Sequence, residues 1–192
     1  MKQLPNTLPG TGTQWKRRGR AHVLGHDVPH DGGVMAFDIV LAREMDPEKI
    51  IPQLFAEVDA GLAARLRPGD IIVAGRNFLA GKAHNTGLLG MKALGMSILC
   101  ESMSMRAYQG VVSLALPVLA ACQGLLGHVS DGDEIEVDFI AGRVENLSNG
   151  QVLQVPPLAP EVRAIIENDG MAGLLRAHLR EHPELGWPRE QG

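Results

Sequence analysis

A polar loop between two apolar segments contains the densest group of side chains that could do chemistry. It follows the apolar run Ile71–Ala74 and precedes a helical pattern that begins near Leu88. Its members are an arginine, a lysine, a histidine, a threonine and two asparagines: Arg76, Asn77, Lys82, His84, Asn85 and Thr86. Open α/β sheets bind ligands where a strand ends and a helix begins, and the unpaired N–H groups of a helix start favour anions. The loop therefore predicts a site for a small anion.

The segments around this loop indicate a layered α/β domain. Residues 21–24, 71–74, 96–100 and 118–119 are short apolar strand patterns, and a turn-rich polar loop, residues 29–33, follows the first of them. Residues 34–42 are ambiguous between strand and helix. Asp46 and Pro47 form a helix start, as N-cap and first helical residue, with the helix running to about residue 58 and another turn near 62–66. Ser102 and Ser104 are cap candidates for a helix that Pro117 ends.

The last third of the chain changes pattern. Residues 134–139 alternate strictly between polar and apolar, and strands over 143–147 and 152–155 follow after turns, which predicts an antiparallel meander. Pro160 begins a helix that Gly170 ends, and a final helix covers 171–179. We predict mixed sheets with flanking helices. Residues 1–18 are expected to form a flexible arm, 19–182 one domain and 183–192 a loose tail.

Composition excludes several classes of protein. The 192 residues carry a net charge of −4 without a long basic block, so nucleic acid is not expected to be the main partner. No segment is apolar enough to span a membrane and no secretion signal precedes the domain, which predicts a cytoplasmic protein. Cys100 and Cys122 are too few for an iron–sulfur cluster, and the histidines lack zinc spacing, so no metal ligands are assigned.

Two nucleotide-binding motifs fail on spacing. Gly75 and Gly81-Lys82 resemble a P-loop, but five residues separate the glycines instead of four, and Ala83 replaces the Ser or Thr that binds Mg²⁺. The G-x-G-x-x-G pattern of dinucleotide-binding folds is absent.

The order of segments resembles the small subunit of 3-isopropylmalate dehydratase, a separate-chain form of the swivelling domain of aconitase. Residues 67–78, RPGDIIVAGRNF, match the family's K-P-G-D-I-I-V-A-G-x-N-F closely, and residues 92–95, 131–137, 146–150 and 156–158 match further family segments. The resemblance covers about residues 19–180. It implies a swivelling β/β/α domain of the aconitase C-terminal type.

The resemblance also implies a reaction and a partner. The family reversibly removes water from a hydroxy di- or tricarboxylate, most commonly in leucine biosynthesis, and its large subunit binds a [4Fe–4S] cluster. The family loop G-S-S-R-E-H supplies a serine base and an arginine that binds a carboxylate. This chain would thus bind no cofactor itself and would act with an aconitase-like large subunit on a small carboxylate. A homo-oligomer stays open.

The loop of this chain departs from the family pattern. Lys82 replaces the catalytic serine, Ala83 the second serine, His84 the arginine and Thr86 the histidine, while Asp31 alone remains of a D-T-D motif. We predict that Lys82 and His84 are catalytic, Lys82 as a base if it is buried, and His84 as a carboxylate ligand or proton carrier. The predicted substrate contacts are His30, Asp31, Arg76, Asn77, Ala83, Asn85 and Thr86.

Three interpretations of the altered loop stay open. The chain is a hydro-lyase subunit with a changed substrate, a catalytically silent binding or regulatory module, or an enzyme of another class that needs no cluster partner. Structural roles compete at single residues too. Lys82 could be a solvated loop lysine, His84 a local hydrogen-bond donor, Asn77 a turn residue, Asp31 a turn cap and Arg76 an exposed strand-end side chain.

Overall fold

The computed structural model describes residues 14–186, in which seven strands form one sheet in the order β4-β3-β2-β1-β5-β6-β7. The strands are β1 (Lys16–Val23), β2 (Ile71–Ala74), β3 (Ser97–Cys100), β4 (Val118–Leu119), β5 (Glu134–Asp138), β6 (Arg143–Asn146) and β7 (Val152–Gln154). The helices are α1 (Phe37–Leu41), α2 (Pro47–Ile50), α3 (Leu62–Arg65), α4 (Thr86–Ala93), α5 (Met105–Ser113), α6 (Pro160–Glu167) and α7 (Gly170–Glu181).

Strand β1 joins a parallel half of the sheet to an antiparallel half. Its first five residues, 16–20, pair antiparallel with β5, and its last three, 21–23, pair parallel with β2. Strands β2, β3 and β4 continue in parallel, whereas β5, β6 and β7 form an antiparallel meander. All the parallel strands consequently end at one edge of the sheet.

The core has two apolar layers, one on each face of the sheet. In β2, Ile72 and Ala74 contribute to one layer, and Ile71 and Val73 contribute to the other. All four are fully buried, as expected of a strand that is covered on both faces. Residues of α4 and α5 complete the first layer, which fixes where α4 begins relative to the end of β2.

A buried polar pair ties β1 to the start of β2. His22 Nε2 lies 2.7 Å from Asp70 Oδ2, and the same oxygen accepts a hydrogen bond of 2.8 Å from the backbone N–H of Arg67. Both side chains are buried, so each satisfies the other's polar group where water has no access.

The predicted α/β fold with a mixed sheet and flanking helices is confirmed. The strand patterns from β2 to β7, the N-cap at Asp46 and the starts at Pro47 and Pro160 are also observed. The ambiguous segment 34–42 contains the short helix α1.

Several boundaries differ from the prediction. Strand β1 begins at Lys16, so residues 16–18 belong to the sheet and not to a flexible arm. The helix expected to reach residue 58 leaves α geometry after Ile50, continues as a 3₁₀ turn through Gln53, and includes Pro52, which has no N–H to donate. Of the two predicted cap residues, Ser104 caps α5 and Ser102 does not. Residues 183–185 of the predicted loose tail form a 3₁₀ turn. Residues 1–13 of the predicted arm and 187–192 of the tail lie outside the described residues.

Within residues 14–186, no helix is long and apolar enough to cross a bilayer.

Replacing Asp70 tests the buried pair. Asp70→Ala leaves His22 and the Arg67 N–H without a partner, so the free energy of unfolding should fall by about 3 kcal/mol. Urea denaturation of the full chain measures the change. Glu57→Ala, at an exposed position, is the control and should change the value by less than about 0.5 kcal/mol. A loss of that small size for Asp70→Ala would show that the pair does not stabilise the fold.

Candidate functional site

The loops that follow β1 and β2 lie side by side at the edge where the parallel strands end. Backbone hydrogen bonds join them: Asp27 N–H donates to Arg76 O at 2.8 Å, Ala80 N–H to Val28 O at 3.2 Å, and His30 N–H to Ala80 O at 3.1 Å. Polar side chains from two separate parts of the sequence are thereby brought to one place, as the sheet-edge argument predicted.

Phe78 anchors the second loop in the core. Its side chain is buried, and its neighbours Asn77 and Leu79 both adopt left-handed backbone conformations, with φ of 56° and 59°. The backbone N–H groups of Asn77 and Phe78 donate to Ser102 Oγ and Ser102 O, each at 2.9 Å. The loop is therefore fixed to the segment after β3 at this point.

Asn77 has a structural role in this conformation. Its amide donates from Nδ2 to Asp27 Oδ1 at 2.8 Å, across the two loops. Asparagine also tolerates the left-handed region better than most residues. The turn interpretation is thus supported, and a contact between Asn77 and substrate stays a prediction.

His84 and Asp31 form the closest side-chain contact of the site. His84 Nδ1 lies 2.8 and 2.7 Å from the two carboxylate oxygens of Asp31, 53 residues earlier in the chain. Both side chains are partly buried, about a quarter exposed (26% and 22%). Because a carboxylate only accepts, Nδ1 carries the proton of this bond, and Nε2 is the nitrogen left for other partners.

His30, the residue before Asp31, is buried and not at the surface. It is 3% exposed, and its Nε2 has no hydrogen-bond partner among residues 14–186. Burial lowers the pKa of His30, an effect that the backbone of His84 and the charge of Asp31 partly oppose. Its predicted contact with substrate stays a prediction, although the ring is covered in this conformation.

The remaining loop residues differ in how they are held. Lys82 is exposed and makes no hydrogen bond or ion pair with any described residue, and Gly81 before it has φ of 85°. Asn85 is exposed and immediately precedes α4 without capping it through its side chain. Ala83 and Thr86 are partly buried, and Arg76 is exposed. The structure thus brings Asp31 and His84 together and leaves Lys82 open to a ligand.

Sequence reasoning missed His26 as part of the site framework. His26 Nδ1 accepts a hydrogen bond of 2.9 Å from the backbone N–H of Arg76. The ring also packs on Gly75, where a Cβ would lie 2.1 Å from Nδ1. The retained Gly75 gave a signal, since a glycine after a buried strand often marks a close approach.

The chain's own thiols do not form a metal site. Cys100 and Cys122 are buried and free, and burial raises the pKa of Cys122 to about 12 and that of Cys100 further. Thiols bind iron as thiolates, so such groups fit a cluster poorly. Within residues 14–186, no group of three or more potential ligands is close enough to hold a metal ion.

Removing His30 should change how stability depends on pH. The pKa of His30 is lowered in the folded protein, so the unfolded chain binds the proton first as pH falls. The stability contributed by the neutral ring is complete above about pH 6.5 and is lost as pH falls through the folded-state pKa. Urea denaturation at pH about 7.5 and about 5.5 measures how much unfolding free energy is lost on acidification. This loss should be smaller in His30→Phe than in the unaltered chain.

The exposed His178→Gln variant shows the effect of removing a surface histidine in the same assay. An equal acid-side loss in His30→Phe and in the unaltered chain would contradict the assignment of this pH dependence to His30.

No family model matches the chain. It is 30% identical over 165 residues to the isopropylmalate/citramalate isomerase small subunit of Methanocaldococcus jannaschii, covering 85% of this chain and 96% of that protein. It is 32% identical over 170 residues to 3-isopropylmalate dehydratase small subunit 1 of Methanopyrus kandleri, covering 86% and 94%. The crystal structure of 3-isopropylmalate dehydratase from M. jannaschii superposes with a TM-score of 0.79 at 22% identity, covering 89% of this chain and 99% of that chain.

Proposed function

The chain belongs to the 3-isopropylmalate dehydratase small-subunit family, and from that premise we propose that it is the small subunit of a hydro-lyase. The reaction is the reversible removal of water from a hydroxy di- or tricarboxylate. The observation that carries the proposal is the loop after β2, which presents Lys82 and the His84–Asp31 contact at the edge where the parallel strands end. A cation and a proton carrier in one loop suit a carboxylate substrate with a proton to lose.

A large subunit is needed to complete the site. Relatives of this chain are named as small subunits, and this chain's two buried cysteines are too few and too well protected to hold an iron–sulfur cluster. We therefore assign a [4Fe–4S] cluster to the partner, where it would supply a Lewis acid for the leaving hydroxyl. The residues of this chain bind and orient the carboxylate end and move the proton.

The substrate class follows from charge and from the named relatives. Isopropylmalate and citramalate, which appear in the name of the M. jannaschii relative, are both hydroxy dicarboxylates. If isopropylmalate is the substrate, the setting is leucine biosynthesis. Because Lys82, Ala83 and His84 replace the family's loop residues, we expect a substrate preference that differs from that of the family. A cytoplasmic location and a homo-oligomer stay predictions.

The two other interpretations of the loop are not favoured. A silent module would not need a histidine whose Nδ1 is held by a carboxylate while Nε2 has no hydrogen-bond partner in the described chain. An enzyme of another class would not explain why the relatives named as dehydratase or isomerase small subunits match over 94–96% of their length.

Co-purification with an aconitase-like large subunit from the same genome tests the proposal. We expect a stable complex that contains iron and sulfide and interconverts at least one hydroxy di- or tricarboxylate with its unsaturated product. Absorbance of the conjugated C=C–carboxylate group follows the reaction, with isopropylmalate and citramalate as the first substrates. A stable chain that binds no large subunit, or a cluster-loaded complex that turns over no hydroxy acid, would contradict the proposal.

A further inference from the structure

We propose that His84, positioned by Asp31, moves the substrate proton, and that Lys82 binds a substrate carboxylate. This inference rests on the proposed function and deepens it. It reverses the roles suggested by position in the loop, where Lys82 stands in place of the base and His84 in place of the carboxylate ligand.

The first argument is the geometry of the histidine. Nδ1 of His84 lies within 2.8 Å of both oxygens of Asp31, so one nitrogen is committed to the carboxylate and the ring is held in one orientation. A carboxylate in this place favours the Nδ1–H tautomer and leaves the Nε2 lone pair as the group that can accept a proton. A base held in this way is oriented by a third group, as proton-transferring histidines require.

The second argument is the tight turn that carries Asp31. Asp31 lies in a tight turn that is closed by hydrogen bonds from Val34 N–H to Pro29 O at 2.9 Å and from Met35 N–H to His30 O at 3.0 Å. A Cβ at Gly33 would lie 2.4 Å from Pro29 O, so the turn admits little at this position except glycine. The turn therefore fixes the backbone of Asp31, from which the carboxylate reaches His84.

The third argument is charge. The neutral His84 that a base requires lies directly against the Asp31 carboxylate, so the pair carries a negative charge and does not attract an anion. Lys82, two residues earlier, is exposed and has no ion-pair partner among residues 14–186. An exposed lysine is a point cation with three donors, which suits a carboxylate. His84 is thus the proton carrier, and Lys82 is the ligand for the substrate carboxylate.

The proton transfer balances as follows in the direction of water loss. Nε2 of His84 takes the proton from the carbon next to a carboxylate, and the electron pair of that C–H bond becomes the second bond of the C=C group. The hydroxyl on the adjacent carbon leaves with the C–O electron pair, takes up one proton from solvent and departs as water. His84 then returns its proton to solvent, and hydration runs the same steps in reverse.

Steady-state kinetics of the two-subunit complex separate the roles. His84→Gln should lower kcat by about 100-fold or more with little change in KM, because general base catalysis contributes about 10²–10⁴-fold. Asp31→Asn should lower kcat by a smaller factor, and Asp31→Glu should recover part of it. Lys82→Gln should raise KM at least about tenfold, whereas Lys82→Arg, which keeps the positive charge, should recover most of the affinity.

Two surface variants serve as matched controls. Lys49→Gln and His178→Gln remove a lysine and a histidine at exposed positions outside the loop and should leave kcat and KM unchanged. If Lys82→Gln and Lys82→Arg both abolish kcat while His84→Gln keeps it, Lys82 is the base and the inference is overturned.

A spectroscopic measurement on the full chain alone does not depend on turnover. Nitrogen-15 NMR of histidine-labelled protein should find neutral His84 with its proton on Nδ1, and Asp31→Asn should move the population towards the Nε2–H form. A neutral His84 protonated on Nε2 in the unaltered chain would overturn the positioning role of Asp31.

Solvent deuterium exchange separates failure of the inference from failure of the proposed function. In D₂O the complex should return recovered substrate with deuterium at the carbon next to the carboxylate, and His84→Gln should lose this exchange. Turnover and exchange that survive in His84→Gln overturn only the assigned roles. An unaltered, cluster-loaded complex without turnover or exchange overturns the proposed function, and the proton-transfer role with it.

Discussion

The pairing of β1 on both of its edges is the constraint on which the rest of the structure depends. Residues 16–20 hold the antiparallel meander through β5, and residues 21–23 hold the parallel strands through β2. Because β1 ends level with β2, the loops that follow them emerge at the same edge and can exchange backbone hydrogen bonds. The His22–Asp70 pair fixes this alignment from inside the sheet, at the other end of β2. The contact between His84 and Asp31 is a consequence of that alignment.

Local sequence patterns predicted much of the fold. Alternation in residues 134–139 marks β5, the turn and apolar run before Gly75 mark β2, and Asp46 with Pro47 marks the start of α2, because each signal lies within a few neighbouring residues. Strand β1 was partly missed for a physical reason. Lys16, Arg17 and Arg18 carry charge on successive positions, and the strand gains its stability from hydrogen bonds and ion pairs to β5, more than a hundred residues later.

The position of the site could be predicted from the sequence, whereas the contacts between its side chains could not. The loop after β2 could be found from residue types alone, since polar groups there follow a buried strand. The bond between His84 and Asp31 could not, because it joins side chains 53 residues apart and depends on the register of β1 against β2. The burial of His30 could not be predicted either, because a histidine in a polar turn is usually exposed.

The loop after β2 is anchored mainly through backbone groups, and this determines which of its residues can be substituted. The loop is held at Phe78 and Ala80 largely through main-chain groups of Ser102, Val28 and His30, which are indifferent to the side chains that come after them. Residues 82–85 can then change one by one while the strand before them and the helix after them stay in place. Substitutions at these exposed or partly buried positions therefore change the side chains presented at the edge of the sheet, while the backbone contacts that hold the loop stay intact.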